Sequence, residues 1–450
     1  MQSKDKQIAI VGAGLVGSLL SIYLVKRGYT VTVYERRANM RSHVLDSGRS
    51  INLALSNRGI QALEKVGLAD PMKRVAIPMH GRMMHDIRGN LTFQAYGKEK
   101  QFINSVSRSG LNMMLMEEAE KQGVHFFYEY KCLDVDFEKT ELTIQSYGSV
   151  MHRKFDYIIG ADGAFSAVRN AMHIQKKIKF TEDFLEHGYK ELRIPPGDHG
   201  EFLIDKNSLH IWPRESFMLI ALPNPDATFT CTLFLPFKGE VSFEHLKEDK
   251  QVLKFFEEYF ADTIPVMPTL LEDFRDNNTS SLVTVRSYPW VLKNTFLIGD
   301  AAHGVVPFYG QGMNAGFEDC FVLNQLLDKY EDEWEKVLPA YQDLRKPDND
   351  AIAQLALDNF IEMRDLVGDE DFLLRKKIEA KLHDIYPDRW IPLYSMVTFR
   401  EDMRYSEAQS NGKLQKQVMD EVMSRPDIKS NWEQLNFEEV VTNFEKLKAS

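Results

Sequence analysis

The chain has 450 residues, 44% of them apolar, and a formal net charge of −11. That length holds two or three domains with a substantial core, and the acidic balance argues against nucleic acid as a general partner, because no basic excess offsets phosphate repulsion. Only three cysteines occur, Cys132, Cys231 and Cys320, without CxxC spacing; this argues against a disulfide framework or a metal site and suits a reducing compartment.

The N-terminal MQSKDKQ is short and polar and leads straight into a strand, so no secretory signal is expected. Gln7–Val11, QIAIV, is that strand, and GAGLVG follows with glycines at 12, 14 and 17. SLLSIYLVKRG then reads as a helix with Leu20, Tyr23 and Leu24 on one face, and YTVTVYE as a second strand ending at Glu35. The whole is a βαβ unit with an acid about 20 residues past the glycines, where a ribose-binding carboxylate belongs. Gly12 permits the tight turn, Gly14 lets a pyrophosphate approach, and Gly17 lets the helix sit close to the strand; the helix dipole favours the anion. A dinucleotide site is expected here. Arg36, Arg37, Arg41 and Arg49 follow closely and read either as a solvated basic loop or as cations near that pyrophosphate.

SINLALS is a strand or extended loop, and a helix capped by Ser56 comes next. Residues 74–107 alternate as antiparallel strands with a turn at Arg88-Gly89-Asn90; Arg82 and Tyr96 stand on them. After the helix opened by Ser107 or Arg108, FDYIIGADGAFSAVR repeats the design of a strand running into glycine, with Asp162-Gly163 at the turn. LHIWP, FMLIALP and FTCTLFLPF are rich in aromatic and β-branched residues, which suits an antiparallel sheet in a second domain. LIGDAAHGVVPFYGQGMNAGFEDC then brings a buried strand to Asp300, a run of small residues, and a helix start at GQGMNAG that can aim N–H groups at an anion or an electron-rich ring. Taken alone, it reads equally as a strand, turn and helix with small packing residues. His303, beside Asp300, reads as structural. From Phe317 the pattern is helical, with breaks expected at Pro339, Pro347, Pro387 and Pro426 and a buried island at WIPLYSMVTF. No run of about 18 apolar residues occurs, so no transmembrane anchor is expected; the expectation is a cytoplasmic protein, monomer or homodimer.

Three stretches, GAGLVG with Glu35, DYIIGADGAFSAVR, and FLIGDAAHGVVPFYGQGMNAGFED, together resemble the fingerprints of the flavin-dependent (group A) aromatic hydroxylases. The resemblance implies an α/β fold like that of p-hydroxybenzoate hydroxylase: a Rossmann-like FAD-binding domain (residues 1–75, 100–180 and 280–325) interleaved with an antiparallel-sheet substrate domain (76–99 and 181–279), then a C-terminal helical region (326–450) closing the active site. GRMMH, AYG, SVSRSGLN, INLALSNRG, FEDC, LDNFIEMR and WIPLYSMVTF resemble the kynurenine 3-monooxygenase branch more closely. That resemblance implies FAD, NADPH and O2, and hydroxylation of L-kynurenine to 3-hydroxykynurenine through a flavin C4a-hydroperoxide. It assigns the substrate's amino-acid group to Arg82, Tyr96, Asn359 and Tyr394; Met363, one turn after Asn359, either lines the pocket or packs in the core. It assigns FAD to Gly12, Gly14, Gly17, Glu35, Arg36, Ala54, Arg108, Leu133, Asp162, Asp300, Gly312, Met313 and Asn314. No catalytic acid or base is expected, because a neutral aniline already activates its own ring. No second βαβ fingerprint for NADPH is visible. Read without the resemblance, Arg82 is a strand arginine paired with Asp86, and Tyr394 a core tyrosine. Two other functions remain open: hydroxylation of a different aromatic, and a non-catalytic flavin-binding redox sensor.

Overall fold

The computed structural model describes residues 5–42, 52–97, 101–365 and 370–449. Strands without a polar face form the centre of a six-stranded sheet, because helices cover both of its sides. The strand order is 291–292, 295–297, 157–160, 7–11, 30–35 and 125–128. Every pairing is parallel except that of Val291–Leu292 with Thr295–Leu297. Strand Gln7–Val11 has its sequence neighbour on one side and Tyr157–Gly160 on the other, so the winding reverses there. Ligands of such sheets sit beyond the carboxyl ends of the strands at that reversal. The three glycine–acid motifs follow three adjacent strands, 7–11, 157–160 and 295–297, and meet at that edge.

Gly12 fixes how closely two of those loops approach. Its φ is 106° and a β-carbon on it would lie 2.5 Å from the carbonyl oxygen of Ala161. Gly12→Ala therefore combines a disfavoured backbone region with a clash against backbone that cannot yield. It is expected to lower stability by roughly 2–3 kcal/mol, read as an earlier denaturation midpoint with an unchanged slope.

The second sheet has seven strands, in the order 280–288, 179–194, 229–236, 217–223, 208–214, 81–85 and 91–95. On one face Trp212 and Phe229 of the sheet pack with Phe256 and Phe260 of the helical segments 249–276. Toward the other lie Leu222, Tyr96, Met79, Ile103 and Phe399. Three expectations need correction. Gly81–His85 pairs antiparallel with Leu91–Ala95 but parallel with Ser208–Arg214, and Ile77–Met79 instead joins Asn52–Leu55 and Ile103–Ser107 in a separate three-stranded sheet. Ser280–Tyr288 pairs with the long strand Lys179–Ile194, so the boundary proposed at residue 280 is not where the sheets divide.

Pro339 and Pro347 do not break the chain: one helix runs from Trp334 to Asp365. An interior proline removes a backbone bond and crowds the preceding turn. The helix nevertheless continues, and side chains also bond two carbonyls of this turn: Leu344 O accepts from Arg404 at 2.5 Å and Arg345 O from Asn349 Nδ2 at 3.0 Å, neither being the Asp343 carbonyl that Pro347 leaves without its helical donor. Pro387 and Pro426 do follow helix ends, at Ile385 and Met423. Among the described residues no helix is long and apolar enough to cross a membrane.

Candidate functional site: a nucleotide cleft beside a caged arginine

The first glycine turn leaves room for a ligand. A β-carbon on Gly14, the residue before helix Leu15–Lys26, would meet nothing within 4 Å, whereas one on Gly17 would lie 2.0 Å from Gly12 O. Glu35 ends the neighbouring strand. Its carboxylate accepts from the backbone N–H of Ala13 at 3.0 Å, and from Arg37 N–H and Nε at 2.9 Å each. Burial raises its pKa, but these bonds outweigh burial and hold it below the usual carboxylate range. An ionised carboxylate has about four acceptor positions, so one remains for a ribose hydroxyl. Leu133 is a large apolar side chain left exposed where the register with strand Glu141–Ser146 shifts; a bulge of this kind re-aims a side chain toward a site. Arg36 is exposed and Arg37 serves Glu35. Arg41 is committed to Glu120 and Tyr128, and Arg49 lies outside the described residues. Of the arginines read either as a solvated loop or as pyrophosphate cations, Arg36 is the one among the described residues not committed to a carboxylate.

Asp162 turns its carboxylate into its own chain. It accepts from Ser166 Oγ at 2.5 Å and Ala167 N–H at 2.6 Å, capping helix Ala167–Ile174. Its side chain shapes the second turn, and, like Glu35, it keeps acceptor capacity beyond these bonds. Asp300 differs. No hydrogen bond reaches its carboxylate among the described residues; burial raises its pKa, and the charges of Arg108 and His303 offset this only in part. A half-buried carboxylate without a donor fits a hydroxyl-bearing chain laid across it.

The third loop ends with Gly310 at φ 66° and opens helix Gly312–Lys329. The first helical bond runs from Ala315 N–H to Gln311 O, which leaves the N–H groups of Gly312, Met313 and Asn314 without an intrahelical acceptor. The Asn314 side chain is fully buried and clamps the loop: Nδ2 donates to Ala54 O at 2.8 Å and Gly310 O at 2.9 Å, and Oδ1 accepts from Ser56 N–H at 3.0 Å. Ala54 and Asn314 therefore build the wall, and the Met313–Asn314 backbone faces what lies against it. FAD fits these features: open space over Gly14, an orphan carboxylate at Asp300, exposed Leu133, and free N–H groups at two helix starts.

Behind this wall runs a buried ion network that sequence reasoning did not assemble. Asp319 accepts from His303 Nε2 at 2.5 Å, Arg345 Nε at 2.7 Å, Asn349 Nδ2 at 3.2 Å and Gly299 N–H at 3.3 Å. Burial raises its pKa, but His303 and Arg345 bring it down to about 2. Arg345 continues to Glu318 at 2.8 Å, and Glu318 to Arg58 at 2.6 Å. Arg58 holds the carbonyls of Val397, Arg400 and Met403 and lies 4.1 Å from the Tyr405 ring centre. One chain of charges thus ties the Gly299–Asp300 turn to the segment that carries Tyr394. His303 belongs to this network, as the structural reading expects.

Arg82 sits on strand Gly81–His85 with its guanidinium carbon 4.5 Å from the ring centre of Tyr394 and 5.7 Å from that of Tyr96. Tyr96 and Tyr309 each lie 5.6 Å from Tyr394, nearly parallel to it. Burial works against the guanidinium charge, and the phenol oxygens of Tyr394, Tyr96 and Tyr309 outweigh it, raising its pKa. Among the described residues no carboxylate pairs with Arg82. Asp86 spends its oxygens on the turn, accepting from Arg88 N–H, Asn90 N–H and Asn90 Nδ2. The Tyr96 hydroxyl is buried and faces Tyr394 and Arg82. Asn359 Nδ2 donates to Phe308 O at 2.7 Å, and Phe308 stacks on Phe360 at 4.3 Å. Arg82, Tyr96 and Tyr394 are thus brought together, Asn359 anchors the adjoining aromatic wall, and the Met363 side chain lies outside the described residues. Tyr309 was absent from the sequence reading; its signal was an aromatic placed just before the left-handed Gly310.

The FAD binding domain family model matches residues 5–356. The kynurenine 3-monooxygenase of Flavobacterium johnsoniae is 50% identical over 435 residues, covering 96% of this chain and 97% of that one. That of Christiangramia forsetii is 49% identical, covering 98% and 99%. Among solved structures, a tetrameric 2-methyl-3-hydroxypyridine-5-carboxylic acid oxygenase superposes with a TM-score of 0.67 at 20% identity, covering 82% of this chain and 94% of that one, which speaks for the fold alone. With its motifs, its cleft and these relatives in agreement, the chain belongs to the kynurenine 3-monooxygenase family of FAD-dependent monooxygenases.

Proposed function

We propose that the chain hydroxylates L-kynurenine to 3-hydroxykynurenine, consuming NADPH and O2 and releasing NADP+ and water. The observation that carries this is Arg82, a partly buried cation caged by tyrosines and, among the described residues, without a carboxylate partner. A pocket beside a flavin cleft that holds an uncompensated cation calls for an aromatic substrate bearing an anion.

FAD, when bound, would supply the redox chemistry that links NADPH and O2 to hydroxylation of the ring. The chain's own residues do the rest. Arg82 offers a two-pronged contact to the carboxylate, and the Tyr96 and Tyr394 hydroxyls add single donors. Phe308, Phe360 and Phe234 wall the aromatic part and keep water from it. Gly12, Gly14, Gly17, Glu35, Leu133, Asp300 and the N–H groups of Met313 and Asn314 hold the cofactor; Arg108 and Arg36 lend positive charge. No residue of the cage is required as a base, since the substrate's own amine activates the carbon ortho to it. In this division of labour the parallel sheet and its loops hold FAD, and the seven-stranded sheet with the C-terminal helices holds the substrate.

The test is to follow NADPH oxidation by the FAD-loaded protein with and without L-kynurenine and to identify the product. Stimulation together with 3-hydroxykynurenine supports the proposal. Peroxide without hydroxylated product, or no stimulation, rejects kynurenine as the substrate.

A further inference from the structure

Behind the strand that carries Arg82, on the opposite face of the sheet, four polar side chains form a continuous hydrogen-bonded chain. His85 Nδ1 lies 2.9 Å from Asp262 Oδ2, His85 Nε2 lies 2.8 Å from His210 Nδ1, and His210 Nε2 lies 2.8 Å from Asp205 O. Trp212 Nε1 donates to the same Asp262 oxygen at 2.8 Å, and its ring stacks on His85 at 3.9 Å. His85, His210 and Trp212 are buried, at 4%, 2% and 1% exposure.

Counting protons along this chain gives a definite answer. Asp262 is held below the usual carboxylate range: burial raises its pKa, but the bonds from His85 and Trp212 more than offset that. It is therefore an acceptor, so His85 Nδ1 carries a hydrogen. Asp205 O is a carbonyl, so His210 Nε2 carries one as well. The two remaining nitrogens face each other at hydrogen-bond distance. If both were bare, two lone pairs would meet in a dry interior; one further proton between them makes a good bond. The two rings then hold three protons and one positive charge, which Asp262 neutralises. A second extra proton is resisted, since burial and the neighbouring His85 push His210 down to about 4.

The geometry joins this pair to Arg82. The parallel register sets Leu209 beside Arg82 and His210 beside Met83, and side chains alternate between the faces of a sheet. His85 and His210 therefore clasp the same two strands from behind that Arg82 and Leu209 occupy in front. The other charged groups facing the pair are accounted for. Arg214 donates to the carbonyls of His85, Asp86 and Tyr259, and the Asp205 carboxylate accepts from Ser208 and from Asn207 N–H.

We propose that His85 and His210 share one proton and that this charged pair, held against Asp262, is a positioning device that fixes the strand bearing Arg82 and so sets affinity for the substrate carboxylate. The second half rests on the function proposed above. As pH rises the shared proton leaves, the bond between the rings is lost, the strand loosens, and the Michaelis constant climbs while kcat and FAD content stay level.

The experiment is NMR of isotope-labelled histidine and arginine nitrogens in the FAD-loaded protein, alongside the pH profile of the Michaelis constant. On the acid side of its titration the pair should show three protonated nitrogens, with one of them between the two rings. The Arg82 Nε signal, identified by its loss in Arg82→Lys, should move with the same midpoint as the pair. His210→Phe keeps a ring but removes the bond. It should raise the Michaelis constant on the order of tenfold, the scale of one charge-assisted bond, and flatten its pH profile. Asp262→Asn should shift the midpoint to lower pH. Two neutral rings at every pH at which the protein stays folded would overturn the shared proton. An Arg82 signal or Michaelis constant indifferent to the pair's titration would overturn its positioning role. If L-kynurenine stimulates no turnover in the wild-type protein, the substrate assignment falls, while the histidine and Arg82 signals still decide this proposal.

Discussion

Arg82→Ala raises the Michaelis constant for L-kynurenine by roughly a hundredfold or more while the protein stays yellow. Truncating one partner of a buried, hydrogen-bonded charge pair costs about 2–5 kcal/mol, much of it from leaving the other charge unpaired. Here the other charge is the substrate's, and the cage keeps water from replacing the guanidinium: Tyr96 is buried, and Tyr394 lies against Tyr309 and Phe399. FAD content is untouched, because Arg82 stands on the seven-stranded sheet and the glycine turns on the parallel one. Arg82→Lys recovers part of the loss, since a point charge replaces one prong of a planar fork. Steady-state kinetics with a flavin absorbance spectrum check both halves; a normal Michaelis constant in Arg82→Ala would show that the carboxylate binds elsewhere.

Asp319→Ala is the second large effect. The side chain is wholly buried and takes bonds from His303, Arg345, Asn349 and the Gly299 backbone. Removing it leaves Arg345 and His303 facing a void, a loss on the order of 3–5 kcal/mol. Because Gly299 adjoins Asp300, the same change frees the turn that presents Asp300, so flavin retention falls with stability. The wild-type network carries a pH signature. The Asp319 pKa is depressed, so its contribution is complete above the unfolded value of about 4 and is lost as pH falls through the folded value of about 2. Denaturant titrations across that window should show a loss of stability that Asp319→Asn, already without the charge, does not show.

The parts of this molecule legible in its sequence are those whose cause is local. QIAIVGAGLVG announces strand, turn and helix because a glycine must stand where φ is 106° and a β-carbon would strike Ala161 O. Asp300 and the GQGMNAG helix start are legible for the same reason. The Arg82 cage is not. Its members come from residues 82, 96, 309 and 394, and nothing in those short segments says that they meet; resemblance supplied three of them and left out Tyr309. Asp162 stands at the expected turn, but that its carboxylate also caps the next helix through Ser166 and Ala167 is decided only by the three-dimensional course of the loop. Pro347 misleads because the helix continues through it, held by packing and by ion pairs such as Arg345 with Asp319 that join residues far apart in the chain. The pairing of 280–288 with 179–194 is likewise a long-range choice that no local pattern encodes.

The most direct test sets L-kynurenine against kynuramine, the same aryl ketone without the carboxylate, in wild-type protein and in Arg82→Ala. With a caged, unpaired arginine reading that carboxylate, wild-type kcat/KM falls by roughly a hundredfold or more from kynurenine to kynuramine, and in Arg82→Ala the two compounds become nearly equal. If the wild-type protein treats the two alike, or if Arg82→Ala preserves the full preference, the carboxylate is not held at Arg82 and the reading of the pocket fails.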